Sequence, residues 1–265
     1  MYTISIIMGI YNCSATLDAA INSILNQTYK NWKLIMCDDA SSDDTYSIAE
    51  GYAQKYKNIF LIKNKNNMGL NYTLNKCLEL VDTEYVARMD GDDISLPERF
   101  EKEIKFLIEH SEYSIVSTNM YYFDENGIWG TSKVIEKPKK EDFIKGTPFC
   151  HAPCMVKTEA YKTVKGYTVE KKLLRMEDYH LWMKMYLNGY VGYNLLEPLY
   201  MMRDDRNASK RRKYKYRINE AYVRCLIIKR FNLSKKNLIY CLRPLIVGLL
   251  PTSIYEMLHK REIQK

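Results

Sequence analysis

The chain alternates short apolar runs with stretches whose apolar residues recur every three or four positions. Residues 4–10 (ISIIMGI) are apolar almost throughout, as expected of a strand buried on both faces of a sheet. From Ser14, placed to cap a helix, Leu17, Ile21, Ile24 and Leu25 fall on one helical face. A second strand is predicted over 32–37, and an acid-led helix over 42–56 with Ile48, Tyr52 and Tyr56 inward. Strands over 59–63 and 85–89 enclose a helix over 69–80. Another helix follows Pro97, and strand signals return at 114–123 and 128–135. Strand–helix alternation with short links predicts an α/β fold, Rossmann-like, with a mostly parallel sheet flanked by helices.

Ligands of such sheets bind beyond the carboxyl ends of the strands. The first strand ends in Gly9-Ile10-Tyr11-Asn12, the second in Asp38-Asp39 and the fourth in Asp90-Gly91-Asp92-Asp93. Three polar strand ends therefore point to one crevice. Carboxylates crowded after an apolar run repel one another, so folding alone does not ask for them. Hard oxygen donors without a neighbouring histidine or thiolate suit Mg²⁺ or Mn²⁺, which keep positions open for phosphate oxygens. The plainer alternative is a solvated acidic turn, with Asp93 or Ser95 capping the next helix.

A second acidic pair, Glu177-Asp178, opens a helical pattern whose apolar stripe runs through Tyr179, Trp182, Met183, Tyr186 and Leu187. Neighbouring helical residues point about 100° apart, so only one of the two faces a crevice squarely. Asp178 borders the apolar stripe one turn before Trp182, whereas Glu177 lies nearer the polar side.

Composition narrows the class. With 265 residues, 46% apolar and 27% charged, the chain has room for one large soluble domain and a small appendage. Seven unpaired-looking cysteines are expected as reduced core thiols, and Cys150-His151-x-x-Cys154 lacks the second cluster that a structural zinc site needs. No basic leader or spanning segment is evident, so a cytoplasmic location is expected. The net charge of +8 is uneven: residues 203–236 hold 13 basic against 3 acidic side chains, while 1–202 hold 23 against 27. That describes an acidic body with a cationic tail, not a nucleic-acid-binding domain. The tail reads as a helix over 210–231 with an apolar face of Tyr222, Cys225, Leu226 and Ile227, followed by a broken apolar run. Such a tail fits the anionic inner face of a plasma membrane, and equally a contact with the core or a homodimer interface.

The series SIIMGIYN, SILNQTYKNWKLIMCDDASSDDT, NNMGL, ARMDGDDISLPERF and MEDYHLWMKM resembles the inverting family 2 glycosyltransferases of the GT-A fold, over roughly residues 3–205. The resemblance implies a catalytic domain over 1–205, with a nucleotide-binding half (1–100), an acceptor-binding half (101–205) and a basic amphipathic tail (206–265). It also implies a nucleotide-diphosphate sugar donor, of the uridine kind, and a glycan or lipid-linked acceptor in surface polysaccharide synthesis. By the same resemblance, Tyr11 stacks on the base, Asp39 reads it, and Asn67 and Gly69 lie near the nucleoside. Asp92 is implied as the direct metal ligand, Asp90 as a ribose or metal-shell group, and Asp93 as a support. Asp178 is implied as the base, with Glu177 beside it and His151 on the acceptor side. One departure stands out: many relatives carry a metal-completing histidine where this chain has Arg203-Asp204-Asp205. A nucleotidyltransferase or a non-catalytic nucleotide-sugar-binding scaffold are the alternatives. The first should carry a basic glycine-rich loop after strand one, which MGIYNCSAT is not.

Overall fold

A computed structural model describes residues 3–204 and 213–250. Strands β1 (Ile4–Ile10), β2 (Trp32–Asp38), β3 (Ile59–Lys63) and β4 (Tyr85–Arg88) form a parallel ladder in the order β3-β2-β1-β4. Helices α1 (Ser14–Leu25), α2 (Thr45–Lys55) and α3 (Leu70–Leu78) make the crossovers. Alternation along the strands explains their apolar runs. Ile7, Ile35 and Cys37 join one core cluster, while Ile6, Met8, Leu34 and Met36 join another, so both faces are buried.

The second half of the chain widens this ladder into a nine-stranded mixed sheet. It contributes β5 (Ile94–Ser95), α4 (Arg99–Glu109), β6 (Ile115–Asp124), β7 (Gly127–Thr131), β8 (Met155–Lys157), α5 (Thr158–Thr163), α6 (Glu177–Leu187) and β9 (Gly192–Arg203). β8 pairs antiparallel with both β4 and β6, β6 runs parallel to β9, and β5 pairs antiparallel with β9. The four-stranded parallel ladder thus belongs to the first hundred residues, and the parallel β6–β9 pair lies outside it. Arg99 fixes the seam between the halves: its side chain is buried, pairs with Glu103 and donates to the carbonyls of Arg88, Ala152 and Cys154.

Helices α7 (Tyr214–Arg230) and α8 (Leu242–Gly248) complete the described chain. The buried face of α7 is Ala221, Val223, Arg224, Ile227 and Ile228; of the face read from the sequence, Ile227 is buried, Cys225 and Leu226 are half-buried against the core, and Tyr222 is exposed. Val223, Ile227 and Phe231 share a cluster with Trp182 and Phe143, and Arg224 donates to the carbonyls of Ile144 and Lys145. The first tail helix is therefore packed on the core. Two further corrections are local. Ser14 makes no side-chain cap to α1, whose first amide instead donates to Asp43 Oδ2 at 3.2 Å. Leu187 is exposed, and Leu181 and Met185 are buried in the stripe where it was expected.

Candidate active site

A cavity of about 1010 Å³ opens beyond the carboxyl ends of β1 and β4. Its walls include Tyr11, Arg88, Asp90, Asp92, Arg175 and Arg203. The loop after β1 is locked to the loop after β2: Asn12, in the left-handed region at φ 48°, accepts from Ser42 and donates its amide to Ser41 Oγ. Tyr11 is thereby left 49% exposed on the cavity wall. An aromatic held out by its backbone is a stacking surface for a base.

The Asp90–Asp93 turn is strapped at both ends. Before it, β4 lies in the sheet; after it, β5 pairs with β9 and the Ser95 amide donates to Ser23 Oγ. Gly91 belongs here for lack of space, since a Cβ would stand 2.8 Å from Cys13 Sγ, and its carbonyl accepts from Thr16. Ligand atoms of Asp90, Asp92 and Asp93 lie within 4.8 Å of one another. Arg88 pairs with Asp90 at 2.5 Å. The Arg203 amide donates to Asp93 Oδ1 at 2.8 Å, and its Nε to the Asp92 carbonyl at 3.2 Å. Burial, then the charge of Asp90, pushes the Asp92 carboxyl above its ordinary value, and the same causes push buried Asp93 up strongly. A divalent cation relieves such crowding, and three hard oxygen donors fit Mg²⁺ or Mn²⁺.

Asp39 and the Asn67–Gly69 loop, expected near the base and nucleoside, lie just behind the cavity wall. None of the three lines the cavity. Asp39 is buried, and its oxygens accept from Asn64 Nδ2 and from the amides of Met68 and Gly69, each at 2.8 Å. Gly69, at φ 86°, lets the chain turn into α3 with its amide aimed at that carboxylate. Asn67 is exposed on the loop. In this structure Asp39 holds the loop.

A second cavity of about 420 Å³ contains Tyr122, Thr147, Phe149, His151 and Asp178 in its walls. Met176 lines the first cavity and Asp178 the second, so the two meet at the first turn of α6. Asp178 Oδ2 accepts from Thr147 Oγ1 at 3.3 Å. Burial raises its pKa, opposed by the Tyr179 amide, the Arg88 charge and the Thr147 hydroxyl. Glu177 is pushed to about 7, chiefly by burial, and its Oε2 has no hydrogen-bond partner. His151 Nε2 meets the Tyr167 hydroxyl at 2.8 Å, its ring stands edge-on to Trp182, and burial holds its pKa well down. A neutral histidine is the result. Its neighbours Cys150 and Cys154 are free thiols, with Cys154 Sγ directed at the Cys150 carbonyl.

The DGDD acids and Asp178 thus gather on either side of one helix turn, with Asp39 apart from both. Arg88, which the sequence reading passed over, belongs to both: it pairs with Asp90, and its charge acts on Glu177, Asp178 and His151. An arginine inside the strand YVAR was the available signal, because a buried charge needs a partner. Arg175, Lys213 and Tyr216 also line the first cavity, and no local pattern marks them.

The family model described as "Glycosyl transferase family 2" matches residues 5–164. The chain belongs to glycosyl transferase family 2. A protein bearing the name glycosyltransferase EpsE, from Bacillus subtilis (strain 168), is 44% identical over 98% of this chain and 94% of its own length. The UDP-Glc:alpha-D-GlcNAc-diphosphoundecaprenol beta-1,3-glucosyltransferase WfaP of Escherichia coli is 29% identical, over 73% of this chain and 74% of its own. The fold of this family 2 glycosyltransferase is similar to that of S. aureus TarS 1-349, solved in complex with UDP-GlcNAc. The TM-score is 0.70 at 20% identity, over 93% of this chain and 71% of that one. The GT-A architecture expected from the motifs is therefore the architecture found. The family match ends before α6, so Asp178, Arg203 and the α7 wall of the cavity lie outside it.

Proposed function

We propose that this glycosyltransferase moves a sugar from a uridine diphosphate donor to a hydroxyl of a glycan or lipid-linked acceptor, with inversion, in surface polysaccharide synthesis. The carrying observation is the pair of cavities meeting at the first turn of α6, acids and arginines in one and Asp178 in the other. Tyr11 offers the base a stacking face, and Asp39 orders the loop behind it through Met68 and Gly69. Asp92 and Asp90, with Asp93 behind them, would hold Mn²⁺ or Mg²⁺. When bound, such an ion neutralises charge on the leaving diphosphate, so no protein acid is needed there.

What remains is a single base facing the acceptor. Asp178 fills that role: burial makes its carboxylate more basic, the Thr147 hydroxyl orients one oxygen, and the Arg88 charge opposes the rise. Transfer of the acceptor hydroxyl's proton to Asp178, as that oxygen bonds the sugar carbon from the opposite face and the carbon's bond to the diphosphate oxygen breaks, gives inversion with one carboxylate. A retaining or inverting glycosidase would need two flanking the bond. His151, neutral beside Tyr167, shapes the acceptor wall without carrying charge.

The acceptor reading extends to the tail. Ile239, Leu242, Ile246 and Leu249 are 53–74% exposed and recur at helical spacing, flanked by Lys235, Lys236 and Arg243. An apolar row with a basic rim fits the surface of an anionic membrane. No helix among the described residues is long and apolar enough to cross one. WfaP, by its name, acts on a diphosphoundecaprenol-linked sugar. Asp178→Asn tests the reading: UDP binding by calorimetry should be unchanged while turnover falls about 10²- to 10⁴-fold. Wild-type turnover in that variant ends the base assignment.

A further inference from the structure

The second cavity differs in kind from the first. Lys133 and Asp178 are the charged side chains of its wall, and Lys133 is exposed, whereas arginines and acids crowd the first. Its other walls are neutral: they include Met120, Tyr122, Phe149 and His151, the last uncharged because burial holds its pKa well down. His151 Nε2 is taken by the Tyr167 hydroxyl, which leaves Nδ1 for a ligand hydroxyl. Neutral walls with an aromatic face and a few polar edges suit an uncharged ring, not a phosphate.

The β6–β7 hairpin builds the aromatic face. Tyr122 stands opposite Gly130 and Phe123 opposite Ile128, so Trp129 between them is an extra residue on β7, a bulge. In a regular ladder neighbouring residues point to opposite faces of the sheet. The extra residue breaks that alternation, and the Trp129 ring lies on Tyr122 with centres 5.3 Å apart and planes inclined by 26°. Tyr122 is thus backed by a second ring while it lines the cavity. The fold gains little from the arrangement. None of the five residues of β7 is buried, and among the described strands β7 pairs with β6 alone. The Trp129 Nε1 is enclosed without a hydrogen-bond partner, which costs stability and does not add to it.

We propose that Tyr122, backed by Trp129, is the stacking platform for the terminal sugar ring of the acceptor, and that the β6–β7 hairpin selects which acceptor is used. The platform rests on the acceptor reading above, in which Asp178 faces the accepting hydroxyl. It deepens that reading by naming what is bound: the C–H face of an uncharged pyranose. Such C–H groups carry slight positive charge and meet the electron-rich face of an aromatic ring. Tyr122 touches the sugar, and Trp129 is a positioning residue that sets the plane of the tyrosine ring.

Saturation-transfer NMR on the full chain, with UDP and Mn²⁺ present and a panel of methyl pyranosides as probes, tests this. At least one glycoside should bind the wild type, with saturation of the protein's aromatic protons reaching the protons of one ring face. Tyr122→Ala should weaken that glycoside about 3- to 10-fold, the range for one lost aromatic contact, whereas Tyr122→Phe should not. Trp129→Ala should weaken it less, and Trp129→Phe should restore it. UDP affinity by calorimetry and the melting temperature report whether each variant is folded. Tyr122→Leu, with bulk but no ring, serves if alanine is not tolerated. Three results overturn the platform and leave the donor site and Asp178 standing: no glycoside bound by the wild type, saturation that reaches the sugar without the aromatic protons, or equal affinity in wild type and the ringless variants. Absence of UDP binding by the wild type sinks the donor reading instead, and the glycoside series, repeated without nucleotide, still decides the platform.

Discussion

Replacing Glu177 by glutamine removes a charge that the fold holds at a loss. Burial carries this carboxyl from 4.5 to about 7, with the neighbouring Asp178 charge adding to the rise, and Oε2 finds no donor. At about 1.4 kcal/mol per pH unit, the ionised group opposes folding by roughly 3 kcal/mol. Residual solvent at the cavity rim lowers that to about 2 kcal/mol. The sign follows from linkage. Below pH 4.5 both folded and unfolded chains keep the proton, and the charge is immaterial. Between 4.5 and 7 the folded chain retains a proton that the unfolded chain releases, so wild-type stability falls as pH rises. Above 7 the whole penalty is present. Glu177→Gln should therefore match wild type at pH 4.5 and unfold about 4 to 8 °C higher at pH 8, for about 2 kcal/mol in a domain of this size. Glu177→Met, which adds no amide needing a partner, should gain at least as much. Thermal unfolding at pH 4.5, 6 and 8 measures the gap. A gap that does not change with pH, or a glutamine variant less stable than wild type at pH 8, refutes the reasoning.

Other expectations are more direct. Tyr11→Ala should weaken UDP binding about 5- to 100-fold by calorimetry, as expected for one lost base–aromatic stack, whereas Tyr11→Phe should not. Asp39→Ala strands three donors from Asn64, Met68 and Gly69, and urea titration should register a loss of about 3 to 6 kcal/mol. A mere drop in nucleotide affinity at full stability would mean that Asp39 serves the ligand rather than the loop. Changing exposed Ile239 and Ile246 together to glutamate should abolish flotation with anionic vesicles while leaving the melting temperature in place.

Much of this was readable along the chain because its signals are local. β1 to β4 declare themselves as apolar runs, since both faces of the parallel ladder are buried. The DGDD and ED acids stand out as charge where folding needs none. What was not readable depends on contacts distant in sequence. Asp39 and the Asn67–Gly69 loop each drew notice through the resemblance, but only coordinates reveal that the loop amides take up the carboxylate. The antiparallel strands β5 and β8 are two and three residues long, too short for any periodicity to register. On α7, the buried face takes in Arg224, whose guanidinium serves two carbonyls, and leaves Tyr222 exposed. Hydropathy ranks such an arginine as outward-facing. Leu187 failed for the opposite reason, an apolar residue at a helix end that the core does not reach.

The double strapping of the acidic turn has a consequence for traffic through the enzyme. Sheet pairing on one side and the β5–β9 bridge on the other tie Asp90 to Asp93 to the central sheet. The opposite bank of the same chamber is made of separate pieces: Arg175, with its left-handed backbone, and the leading turn of α7. On the donor reading proposed above, entry and exit of nucleotide are expected along that bank rather than through the acidic turn.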